Sequence, residues 1–168
     1  GDTVIFLPFI KALYKKYNSP ISILVKESAK ADQYLFQTNY IDQILILERD
    51  SNNQTRHSGF LGSLNLIKDL KKYNFDKIFI FNSSLRFNLI ARFSKIPEIY
   101  QYPLFDKKKQ HITDTPKKFL KDSINFEVND DPNIQISDNS ILETIKKFQI
   151  NKKELNILLG IGGSGHTK

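Results

Sequence analysis

Three strand-sized runs rich in Ile, Leu, Val and Phe, and a shorter fourth run, dictate most of what this chain can become. They are "PISILVKE" (20–27), "IDQILILE" (41–48), "FDKIFIFN" (75–82) and "EIYQYP" (98–103). A strand apolar on both faces must be covered on both faces. Between these runs lie stretches with helical spacing of apolar side chains, at 60–73 ("FLGSLNLIKDLKKY") and 85–94 ("LRFNLIARFS"). Ser83 or Ser84 stands ready as N-cap for the latter. Strand and amphipathic helix in alternation predict an α/β fold with a doubly wound, Rossmann-like parallel sheet.

The flanks extend this pattern. Val4, Leu7, Ile10, Ala12, Leu13 and Tyr17 recur at close to helical spacing over 3–17, with Pro8 placed to kink the segment. A short helix is expected over 28–38, further helices over about 115–123 and 140–149, and a strand over 155–161. The Asp/Asn-rich stretch 129–139 reads as a linker or surface loop. A doubly wound domain normally opens on a strand, whereas this chain opens "GD" into a helix. The expectation is therefore a first strand missing upstream.

Composition narrows the class. With 40% hydrophobic and 26% charged residues, the 168-residue chain can bury a core. No apolar run is long enough to span a bilayer, and the absence of cysteine fits a reducing cytoplasm. The net charge of +7 invites either solvated lysine-rich faces or an anionic partner. The basic residues are scattered and no nucleic-acid-binding pattern stands out, so nucleic acid is disfavoured. His57, His111 and His166 show no metal-ligand spacing.

The tail "NILLGIGGSGHTK" (156–168) holds a strand-like run followed by a glycine loop, the arrangement that cradles phosphate on backbone amides. Gly160, Gly162 and Gly165 spell the dinucleotide fingerprint, while Lys168 falls too late for a P-loop. Taken alone, the tail leaves three possibilities open: a dinucleotide site, another phosphate site, or a plain glycine turn.

Three separated blocks, in order, resemble glycosyltransferase family 9, the lipopolysaccharide heptosyltransferase family. "GDTVIFLPFIKALYKKY" looks like its opening turn and helix, with Gly1, Asp2 and Pro8 matching. "FDKIFIFNSSLRFNLIARFSKIPEIYQYP" is similar to its strand, helix and I-P turn, with Asn82, Ser83, Arg86, Ile96 and Pro97 matching. Lys95 and Gln101 stand there in place of glycines. "IGGSGHTK" resembles its P-G-A-S-x-x-x-K segment, with Gly162, Ser164 and Lys168 matching, and Ile161 and Gly163 in place of Pro and Ala.

The resemblance implies the N-terminal half of a GT-B fold. Residues 1–150 would be a Rossmann-like acceptor-binding domain lacking its first strand. Residues 151–168 would begin the C-terminal nucleotide-sugar-binding domain. The implied reaction is inverting, metal-independent transfer of a heptose or related sugar from an ADP-heptose-like donor to a lipopolysaccharide core. It needs no cofactor beyond the nucleotide-sugar substrate.

Asp2 is the implied catalytic base, its plainer role being an N-cap or first-turn carboxylate. Gly163, Ser164 and Lys168 would hold the donor pyrophosphate. Ser83, Arg86, Lys107, Lys109 and His111 would line the acceptor side and meet an anionic, lipid-linked saccharide. The expected location is the cytoplasm, with peripheral attachment to the inner membrane's cytoplasmic face. The fragment by itself is expected to be inactive. Two alternatives remain: an NAD(P)-type oxidoreductase built on the glycine tail, and a non-catalytic nucleotide-sugar-binding module.

Overall fold

A computed structural model describes residues 2–49, 55–104 and 112–157, apart from the side chain of Asp2. The chain divides into two compact units between Gln135 and Ile136. The first is a mixed α/β unit with short parallel strands, compatible with a Rossmann-like fold.

The expected first helix is two helices: α1 (Asp2–Ile5) and α2 (Leu7–Tyr17), broken by a turn at Phe6. Pro8 is the cause. It has no amide to donate and its ring would crowd the carbonyl of Val4, so it is tolerated only in the first turn of a new helix. Asn18, in the left-handed region, closes α2 and delivers the chain to β1 (Ile21–Lys26). The single helix expected over 28–38 is also interrupted. A 3₁₀ turn at Glu27–Ala29 ends at left-handed Lys30, and the separate α3 (Asp32–Leu35) follows.

Next come β2 (Ile41–Leu47), α4 (Gly59–Lys71), β3 (Lys77–Ile80), α5 (Leu85–Phe93) and β4 (Glu98–Gln101), each within a few residues of its expected range. After them, α6 (Asp114–Ile124) buries Pro116, Phe119 and Leu120.

The sheet departs from expectation. Instead of one continuous sheet, the described strands form two parallel pairs, β1–β2 and β3–β4. Ile23 to Lys26 run in register with Ile44 to Leu47, after one extra residue in β2 around Asp42–Gln43 shifts the register. In the second pair Lys77 faces Glu98 and forms an ion pair with it, and Phe79 stacks on Tyr100 at 4.6 Å.

Side chains rather than a backbone ladder join the pairs. Ile21 of β1 packs in the cluster that holds Phe79 and Phe81, and Phe6 meets Phe81 edge-on at 5.2 Å. Helix α2 serves both pairs. Its Leu7 and Ile10 join Ile23 and Leu35, whereas Phe9, Ala12 and Leu13 join Phe119, Leu120 and Val128.

The segment expected as a linker over 129–139 is pinned in its first half. Asp130 pairs with Lys15 and Lys11, and the amide of Asn39 donates to Gln135 Oε1. Beyond it, the second unit contains α7 (Asp138–Lys147), capped where Ser137 Oγ accepts the amide of Ser140. The strand expected over 155–161 is absent from its described part, since 155–157 is neither helix nor strand. Its remainder lies outside the described residues.

Candidate functional site

Because β1 and β2 are parallel, both end at the same edge, which is where open α/β sheets bind ligands. Lys26 ends β1, and the tight turn at Glu27–Ala29 brings Lys30 back beside it. Arg49 stands just past the end of β2. With Glu27, Ser28 and Thr55 these residues line an open pocket of about 210 Å³. That is below the roughly 300 Å³ at which drug-sized ligand sites begin, and suits a compact group such as a phosphate.

Three cations face one carboxylate there. None of the three has an ion-pair partner among the described residues. Uncompensated like charge of this kind favours an incoming anion.

Next to this pocket a polar knot joins the starts of α4 and α5. The Oγ1 of Thr55 lies 2.7 Å from Ser58 Oγ, so the pocket wall continues into the turn entering α4. His57 is buried there, and its amide donates to the carbonyl of Glu48 at 3.0 Å. Its Nδ1 accepts the Glu48 amide at 3.1 Å, leaving Nε2 as the protonated nitrogen, 3.3 Å from Asp69 Oδ2. Both ring nitrogens are occupied, so His57 clasps the ends of β2 and α4 rather than serving as an acid or base.

Asp69 gathers Lys72, Arg56 and His57 around one carboxylate. The Lys72 ammonium, with help from Arg56 and His57, holds Asp69 far below the usual carboxylate range, against burial that pushes the other way. A carboxylate depressed in the folded state stabilises the fold above its unfolded value. That contribution is lost as pH falls from about 4 towards the folded value. Asp69→Asn is therefore expected to lower stability at neutral pH and flatten its decline below about pH 4, read by urea unfolding across pH.

Two of the sequence-derived acceptor residues are described with their side chains. Arg86, in the first turn of α5, donates from Nη2 to the carbonyl of His57 at 2.6 Å and from Nε to Ser63 Oγ at 2.9 Å. Burial, then repulsion from Arg49, moves Arg86 below its ordinary value. Much of its donor fork thus braces α4 against α5, and its charge adds to the field at the pocket. Ser83 is exposed in the turn after β3.

The cap of α5 differs from expectation. Ser84 occupies the N-cap position but its side chain makes no capping bond, and Asn82 Oδ1 accepts the Ser84 amide instead. Gln101, standing where the resembling family commonly has glycine, donates from Nε2 to the carbonyls of Asn82 and Ser84 and stiffens that turn.

Asp2 is the first residue of α1, and its side chain lies outside the described atoms. Lys107, Lys109, His111, Gly163, Ser164 and Lys168 also lie outside the described residues. Lys26, Lys30 and Arg49 were not singled out from the sequence. Their signal was available: Lys26 is the last residue of a strand and Lys30 and Arg49 closely follow strand ends, where sheet topology places ligands. Among the described residues, no group of three or more His, Cys, Asp or Glu could hold a metal ion.

Comparison with known proteins adds no relative. No family model matches the chain, and no curated protein or solved structure does either.

Proposed function

We propose that this chain is the acceptor-binding half of a glycosyltransferase with a doubly wound GT-B architecture. The enzyme moves a heptose or related sugar from an ADP-heptose-like donor to a lipopolysaccharide core. The observation that carries this reading is the cationic pocket of Lys26, Lys30 and Arg49 at the strands' carboxyl edge. It suits the phosphate or carboxylate groups of an anionic saccharide.

The three ordered sequence blocks support the same reading. So does the sheet. The described strands form two parallel pairs served by one helix, which is compatible with a doubly wound, Rossmann-like sheet. In this mechanism Asp2 takes the proton from the acceptor hydroxyl as it attacks the sugar's anomeric carbon. Gly163, Ser164 and Lys168 hold the departing nucleoside diphosphate and offset its growing negative charge. Arg86 and Ser83, with Lys107, Lys109 and His111, complete the acceptor side, and the pocket cations extend it.

Isothermal titration of the chain with a phosphorylated core-type saccharide and its dephosphorylated counterpart tests the proposal. The phosphorylated form should bind at least about tenfold more tightly, and Arg49→Glu should remove that advantage, since a charge-assisted contact contributes about 1.5–3 kcal/mol. Equal affinity for both forms, or no binding of either, counts against the reading.

A further inference from the structure

Helices α4 and α5 carry large apolar side chains on the faces they turn away from the core. Phe60 is 79% exposed, Leu61 73% and Phe93 64%, and Leu64, Leu85 and Leu89 are exposed too. Their spacing is orderly. Leu85, Leu89 and Phe93 fall at i, i+4 and i+8, forming one stripe down α5. Phe60 and Leu64 begin a second stripe on α4, which Lys68 and Lys71 continue, so it is apolar in the first two turns and basic after them.

Both stripes lie on the sides of their helices away from the buried residues. The buried sides of α4 and α5, through Leu66, Leu70 and Ile90, enter a single cluster with Leu47. The two helices pack against each other, α4 towards the end of β2 and α5 across β3 and β4, and the sides opposite this packing are exposed.

Six large apolar side chains on neighbouring helix faces are more than a soluble monomer ordinarily leaves uncovered. The charge pattern selects the occupant. Across α4 and α5 there are three exposed cations, Lys68, Lys71 and Arg92, Arg86 being half-buried against His57 and Ser63, and the single carboxylate is that of Asp69. That carboxylate is already engaged by Arg56, Lys72 and His57. Lys95 adds a further cation just past α5. A second copy of the chain docking through the same face would oppose these cations across a two-fold axis. An anionic bilayer instead accepts the apolar stripes among its acyl chains, while lysines and arginines reach back to the headgroups.

We infer that the α4–α5 face is a membrane-docking surface that seats the protein on anionic phospholipid, Phe60, Leu61 and Phe93 being its main inserting side chains. The inference is independent of the reaction proposed above. Insertion there would also bring the starts of α4 and α5, and the cationic pocket beside them, close to the lipid surface.

Co-sedimentation of the full chain with vesicles tests this. The parent should partition onto mixed phosphatidylglycerol–phosphatidylethanolamine vesicles and not onto pure phosphatidylcholine. The exposed pairs Phe60→Ser/Leu61→Ser and Leu89→Ser/Phe93→Ser should each reduce partitioning at least about tenfold, with melting temperature preserved. Lys68→Glu/Lys71→Glu should weaken binding in a salt-dependent way while leaving the apolar stripes intact. Failure of the parent to bind overturns the inference, as does binding that both serine pairs leave unchanged. Concentration-dependent self-association lost in the serine pairs, without vesicle binding, would assign the face to a second copy instead.

Discussion

Alanine at position 62 is expected to destabilise the α/β unit by at least about 3 kcal/mol, lowering its melting temperature by about 10 °C. A Cβ at Gly62 would stand 2.2 Å from the carbonyl carbon of His57 and 2.6 Å from its oxygen. Backbone, not a flexible side-chain tip, is what it meets. Nor can that backbone easily yield. The His57 amide is bonded to Glu48, its carbonyl accepts Arg86, and its ring is held between Glu48 and Asp69. Relieving the clash means loosening a charge-assisted bond and the clasp between β2 and α4 together. Differential scanning calorimetry decides the matter. A melting temperature unchanged in Gly62→Ala would mean that the turn into α4 has slack it does not display.

On the proposed function, Asp2→Asn is expected to lower sugar transfer by roughly two to four orders of magnitude, the usual contribution of a positioned general base. The amide keeps the size and most of the hydrogen bonding of the carboxylate but cannot take up the acceptor's proton. The loss should therefore fall on kcat, with KM for the acceptor nearly unchanged. Steady-state kinetics with both substrates varied makes the distinction. Transfer that persists at the parental rate would reassign the proton acceptor and leave Asp2 as a helix-start residue.

Much of the local structure is legible from residue order. The runs "ISILV", "IDQILIL" and "KIFIF" locate three strands, and the spacing of Leu66, Leu70, Ile90 and Ala91 identifies the buried sides of α4 and α5. Pro8 marks the break in the first helical segment, though periodicity alone runs straight across it. Pairing is less legible. Apolar runs say that strands exist but not which neighbours they find, and the division into two pairs is a long-range outcome. The pocket is hidden for the same reason, because Lys26 and Arg49 become neighbours only through the β1–β2 register. His57 was hidden more deeply. It sits in a polar loop sequence whose composition suggests solvent, yet two bonds to Glu48 and one contact with Asp69 draw it inside. Arg86 is implied by the family resemblance of its block, and its bracing of His57 and Ser63 needed the fold to be seen.

The two-sided burial of α2 has a consequence for the order in which the chain can mature. Leu7 and Ile10 find Ile23 and Leu35 within the next few dozen residues, so one side of the helix can close soon after synthesis. The other side cannot. Phe9, Ala12 and Leu13 wait for Phe119, Leu120 and Val128, which leave the ribosome only after both strand pairs have been made. Throughout that interval an aromatic flank of the nascent domain stays uncovered, the period in which such surfaces recruit chaperones or one another. Helix α6 and the segment after it are thus the latch that ends the exposure, late in sequence and late in time.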